Sequence, residues 1–350
     1  MRFLQGFATS LCNTSMGSIT SQWSTIKESG FFLALLSSHY QLGQVLTMPT
    51  AGVLCESRWG WPALYYIQGV LTALIAITFY IFYRDNPYRH KFVSAKELLK
   101  IEEGKINVLV KDGGGQKDLS KKVPYKAMLT DFVVWGIVLS INFIRIGYLI
   151  FIQFGPIYLN KVMKFNVKNT GIGSALPFLG SIILKLIAGQ LSDCVTCIPM
   201  KLNLIFFVTI AGSVVIFGNL SLAFLTIDFA VLAQIALVLV VSFSGLSFIS
   251  ITKSAQMISQ HYSHIIMVFI TLFSSTILLI LPIIVAILAP DNEQTQWKSI
   301  FIGICVIILS GMLIFNLTVE VQPRSWVQIA QMKNKVSNLS TISEANKINT

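Results

Sequence analysis

The chain has 350 residues, 54% of them hydrophobic and only 12% charged, with a formal net charge of +11 and a mean hydropathy of +0.71. That composition excludes an ordinary soluble domain, and the basic residues flank apolar stretches instead of alternating with stacking aromatics, which argues against a nucleic-acid partner. The reading is an all-α polytopic membrane protein whose standing partner is the lipid bilayer.

In chain order, the first twenty residues, MRFLQGFATSLCNTSMGSIT, are long enough for a helix. They place Arg2, Gln5, Gly6, Thr9 and Asn13 on one polar stripe with a small-residue notch. Such a helix is costly against lipid, and it lacks the long apolar core of a signal peptide. Apolar spans follow at about 31–55, 62–83, 131–159, 170–191, 202–222, 229–251, 263–289 and 299–318, as a hydrocarbon core of roughly 30 Å demands. Between 84 and 126 the hydropathy stops. Pro87, Gly113 to Gly115 and Pro124 mark a loop that holds eleven of the 26 Lys and Arg residues, so the positive-inside rule makes it cytoplasmic. Counting spans outward puts the tail beyond 319 on the same side.

Arg145 stands inside the span 131–159, where an arginine costs at least ~2.5–3.5 kcal/mol on insertion scales. At 100° per residue, Asn142, Arg145, Tyr148 and Gln153 fall within about 140° of one face, with Ser140 opposite. Two arginine-bearing helices facing one cavity, Arg145 with Asn142 and Tyr148 and Arg2 with Gln5 and Thr9, suit a carboxylate or phosphate, because guanidinium binds such groups bidentately and stays charged. The alternative is that each arginine pairs with an internal acid or backbone carbonyls and only props the bundle. No Asp or Glu lies deep in any span to serve as that partner. Lys185, eight residues before Asp193, is expected to snorkel, since about 12 Å of helix separates it from the boundary and its stem covers about half of this; the alternative is a role in holding substrate. His39 reads as a packed or hydrogen-bonded histidine. Cys194 and Cys197 have no second pair or nearby histidine to complete a metal site. Paired aspartates, a His-Glu metal motif and a serine with a base are all missing from the spans. The reading is therefore no enzyme, no catalytic residues, no metal and no cofactor.

The segments RFLQG (Arg2 to Gly6), GQVLTMPTAG (Gly43 to Gly52), GWPALYYIQG (Gly60 to Gly69), NFIR (Asn142 to Arg145), SALPFL (Ser174 to Leu179), GQLSD (Gly189 to Asp193) and FSGL (Phe243 to Leu246) together resemble the organic-anion branch of the major facilitator superfamily. That branch includes sialin, the vesicular glutamate transporters and the sodium/phosphate cotransporter relatives. The resemblance implies a major facilitator fold, N-terminally truncated, with about 8–9 transmembrane helices. Met1 falls inside the family's fourth helix, so the first three are absent, either in a real short product or, as favoured, through an incomplete gene model. The implied organisation is 1–83 as the remainder of the N-terminal half, 84–126 as the basic cytoplasmic loop, 127–318 as the C-terminal six-helix half and 319–350 as the cytoplasmic tail.

The implied function is secondary transport of organic or inorganic anions, carboxylate or phosphate in type, by alternating access. The partners are a small anionic substrate and H+ or Na+ as coupling ion, in the plasma membrane or a vesicle or lysosome membrane. Arginines at the positions of Arg2 and Arg145 line the family's central anion site. Where relatives carry Gly-Glu-Gly on the fourth helix this chain reads Ala8, Thr9, Ser10, which puts proton coupling in doubt. The family's Pro-Arg-Tyr is likewise changed, to Gln260, His261, Tyr262. The competing expectation is a degenerate, transport-inactive or regulatory homologue.

Overall fold

In lipid a backbone group has no water to bond, so each apolar span closes its own hydrogen bonds as a helix. The structure is a computed structural model and describes residues 2–25, 29–84, 86–102, 124–194 and 199–327. Lys27, Cys197, positions 103–123 of the basic loop and the tail beyond 327 lie outside the described residues. In chain order the helices are α1 (Arg2–Trp23), α2 (Ser29–Ser37), α3 (His39–Glu56), α4 (Gly60–Phe82), α5 (Ala95–Glu102), α6 (Tyr125–Leu129), α7 (Phe132–Ile144), α8 (Ile146–Ile157), α9 (Val167–Cys194), α10 (Met200–Phe224), α11 (Ala230–Ser259), α12 (Ser263–Leu288) and α13 (Gln294–Thr318).

Among the described residues, seven helices are long and apolar enough to cross a membrane: α4, the run from α7 to Val162, α9 as far as Ile187, α10, α11, α12 and α13. The protein is an integral, multi-pass membrane protein. The span expected at 31–55 is present in two pieces, α2 and α3, divided at Ser38. Ser37 and Ser38 both turn their hydroxyls onto the Ala34 carbonyl, at 3.2 and 2.7 Å. Such back-bonding competes with the regular ladder and bends helices.

The run from α7 to Val162 is also irregular. It is interrupted at Arg145 (φ −79°, ψ −7°) and ends beyond Pro156 in a π-helical turn, Tyr158–Val162. Its start is well defined. The Asp131 Oδ1 accepts from the Val133 N–H at 3.0 Å, capping α7 where a side-chain oxygen satisfies an orphan donor.

Small residues set the spacing of the bundle, as they do where helices associate without a hydrophobic drive. Where α3 crosses α9, Gly52 and Gly171 meet so closely that a Cβ on Gly171 would lie 2.7 Å from the Met48 carbonyl oxygen. Where α9 crosses α11, a Cβ on Gly180 would meet the Ser242 hydroxyl at 2.7 Å, and one on Gly245 would meet the Ser181 hydroxyl and Lys185 Cε at 2.6 and 2.7 Å. The apolar core runs through α7–α13, with Phe178, Trp297 and Phe315 among its fully buried side chains. By contrast α4 buries none of its span and leans on α3, tied by the Gln68 amide donating to the Thr47 hydroxyl at 2.8 Å. These crossings bring α2, α3, α8, α9 and α11 together around the polar residues described next.

Candidate functional site

Arg145 sits at the junction of α7 and α8, half-buried, and its guanidinium carbon lies 4.8 Å from the Phe248 ring centroid and 5.6 Å from that of Tyr148. Contact with aromatic faces partly compensates a desolvated cation, by about 0.5–2 kcal/mol. It does not neutralise one. Tyr148 accepts a hydrogen bond at its hydroxyl from the Gln41 amide of α3, at 3.4 Å.

Lys185 corrects the expectation of snorkelling. It is 2% exposed, and its ammonium donates to the Ser37 hydroxyl and to Gln41 Oε1, both at 3.2 Å, with the Ser37 carbonyl at 3.5 Å. These acceptors arrive from α2 and α3 and are nearer than the membrane boundary, so the stem stays inside. Its Nζ also lies 5.5 Å from the Phe248 centroid. Arg145 and Lys185 therefore share one cavity, whose other lining residues are Tyr40, Gln41, Tyr148, Ser244, Gly245 and Phe248. No acidic side chain among the described residues lines it. The free volume is about 10 Å³, room for about one water molecule, so the site is too small to hold an anion in this conformation.

The other expected site residues are placed elsewhere or only in part. Asn142 is 1% exposed and faces α12: its amide donates to the Val138 carbonyl at 2.8 Å and the Ile270 carbonyl at 3.5 Å, and its Oδ1 accepts from Ser274 at 2.6 Å. Gln153 likewise donates to the Leu278 carbonyl of α12, at 3.3 Å. The single face inferred for the helix is thus two stripes, one tying it to α12 and one, Arg145 with Tyr148, turned to the cavity. Gln5 and Thr9 are exposed on α1, where the Thr9 hydroxyl donates to the Gln5 carbonyl at 2.8 Å. Neither lines the cavity, and a Cβ on Gly6 would meet nothing within 4 Å. Arg2 lies in α1, but its side chain is outside the described residues. His39 is exposed and bonded through Nδ1 to the Leu36 carbonyl at 2.7 Å.

A larger cavity of about 550 Å³ lies between α1, α2 and the end of α4, lined by Ile19, Trp23, Phe32, Ile75, Phe79 and His90 among others. Its walls are almost wholly apolar. The two basic groups at its rim, Arg84 and His90, are each bonded to a backbone carbonyl, of Tyr83 and Phe82. The small cavity at Arg145 is therefore the better candidate despite its size. Of its residues the sequence singled out Arg145, Tyr148 and Lys185. Gln41 and Ser37 carry only the general signal of a polar side chain inside an apolar span.

A family model described as Major Facilitator Superfamily matches residues 1–279. The chain belongs to the major facilitator superfamily. Within it, the chain is 24% identical over 340 residues to sialin of Homo sapiens, covering 93% of this chain and 64% of that protein. It is 28% identical over 193 residues to sodium-dependent phosphate transport protein 1 of Mus musculus, covering 55% of this chain and 40% of that protein. It is 25% identical over 340 residues to vesicular glutamate transporter 1 of Xenopus laevis, covering 94% of this chain and 56% of that protein. The chain spans less than two thirds of the length of these curated relatives.

Proposed function

We propose that this chain serves secondary transport of small anions, carboxylate or phosphate in type, by alternating access, with Arg145 as the principal anion contact and Tyr148 beside it. The observation that carries the reading is a half-buried Arg145 and a buried Lys185 in one cavity with no carboxylate among the described residues on its walls. Cations inside a membrane bundle are costly and mark substrate or ion pathways, and an anionic substrate would supply the counter-charge the walls of this cavity lack. The names of relatives point the same way, since they include transporters of phosphate and glutamate and a probable urate exporter of Mus musculus. The cavity lies between α2–α3 and α8–α9–α11. Loading it requires these groups to part, which is the motion alternating access needs. Asn142 and Gln153 then act by fixing α7 and α8 on α12, not by touching substrate.

Uptake of labelled phosphate, glutamate and urate into proteoliposomes tests this, under an imposed H+ or Na+ gradient. Arg145→Ala is expected to abolish uptake of whichever anion is carried, with membrane insertion intact. Arg145→Lys should restore only part of it, because lysine lacks the planar fork. Equal uptake by wild type and Arg145→Ala would remove the anion-site reading; no uptake of any anion by wild type would favour a transport-inactive homologue.

A further inference from the structure

Lys185 is not needed to hold one negative charge, because Arg145 already offers a fixed cation beside Tyr148. Resting on the anion-site reading above, we infer that Lys185 is a second anion contact, and that it makes the cavity selective for a small dianion over a monoanion of the same shape. Several observations lead there. Lys185 is buried at 2% exposure on an otherwise apolar stretch of α9, yet its partners Ser37 and Gln41 are neutral acceptors. They satisfy its protons without compensating its charge. Arg145 Cζ and Lys185 Nζ lie 4.8 and 5.5 Å from the same Phe248 centroid, so the two cations are no more than about 10 Å apart. A small dicarboxylate or an inorganic phosphate between them answers both charges, whereas a monoanion leaves one buried and unanswered.

The packing supports a built position. Lys185 lies against Gly245 of α11, where a Cβ would come within 2.7 Å of its Cε, so the absence of a side chain at 245 is what lets the stem lie along α11. The second negative charge of the ligand takes the place of Gln41 and Ser37 on the ammonium. Because those residues belong to α2 and α3, that exchange also loosens the tie between α9 and the helices that close the cavity.

The test uses the purified chain in detergent, with apparent Kd values read from ligand-dependent thermal stability. Two matched pairs isolate one charge: succinate against monomethyl succinate, and inorganic phosphate against dimethyl phosphate, near neutral pH. Wild type is expected to prefer the dianion by roughly tenfold or more in at least one pair, the scale of one charge-assisted contact. In Lys185→Met that preference should fall to near one. Gly245→Ala, which displaces the lysine stem without deleting its charge, should reduce the preference in part. A wild type without preference in either pair, or a Lys185→Met variant that keeps it, overturns the inference. If Arg145→Ala destroys binding of the monoanions while wild type shows no preference, only the role of Lys185 fails. If Arg145→Ala leaves binding unchanged, or wild type binds none of the four probes, the anion site fails with it.

Discussion

Asp131 performs two tasks with one carboxylate. It caps α7, and it receives the Arg324 side chain through Nε at 2.8 Å and an Nη at 3.1 Å, with the Trp326 indole N–H at 2.9 Å. Burial alone pushes this carboxyl up, but the hydrogen bonds from Arg324, Trp326 and the Val133 N–H, with the nearby guanidinium charge, outweigh it and hold it below its ordinary 3.8. The sign follows from linkage: stability from a carboxylate lowered by folding is present above its unfolded value and is lost as pH falls through the folded one. Asp131→Asn is therefore expected to lower stability at neutral pH, on the order of 1–2 kcal/mol from the loss of the charge-assisted pair, since an asparagine oxygen can still cap α7. It should also flatten the acid side of the profile. Thermal unfolding in detergent across acidic pH measures both; an Asn variant that loses stability below pH ~4 as steeply as wild type would show that this pair does not titrate with folding.

At the scale of the helix, glycines separate crossings that tolerate no side chain from positions that are merely glycine. Gly171 on α9 faces backbone, the Met48 carbonyl and the Gly52 Cα, so a methyl group there must push α3 away from α9. Gly171→Ala is expected to cost about 1–3 kcal/mol as overpacking against rigid neighbours. Gly303 on α13 has nothing within 4 Å of where its Cβ would stand, and Gly303→Ala should lose nothing, since alanine is the better helix former. Equal thermal stability of the two variants would contradict the close α3–α9 crossing. The same scale shows what the sequence reveals of this fold. Spans such as 202–222 and 299–318 can be read because an apolar run of membrane length has one solution in lipid. The division of 31–55 at Ser38 is hidden, because serines inside helices are common and only the orientation of their hydroxyls toward Ala34 makes the break.

For the whole molecule, the site is legible only where one helix suffices to define it. Arg145 and Tyr148 follow from a charge in an apolar span and its near neighbour, but their separation from Asn142 and Gln153 depends on where α12 packs. Lys185 is misread from sequence because its acceptors stand 148 and 144 residues away, and an isolated helix offers no alternative to the membrane boundary. Long-range placement also bears on orientation. The Asp131–Arg324 pair, with the Arg324 N–H on the Ile258 carbonyl at 3.1 Å and Lys201 3.9 Å from Glu320, gathers the start of α7, the start of α10, the end of α11 and the segment after α13 at one end of the bundle. The basic loop enters α7 at that end, and basic residues near span ends resist translocation. Lys96→Cys and Gln322→Cys, each in a cysteine-depleted chain in sealed vesicles of known orientation, are therefore expected to react with an impermeant thiol reagent from the cytoplasmic face alone. Asp291→Cys, between α12 and α13 at the opposite end, should react only from the other face. Labelling of Lys96→Cys and Gln322→Cys from opposite faces would break the span count between α4 and α13, and labelling of both from the non-cytoplasmic face would invert the orientation of the bundle in the membrane.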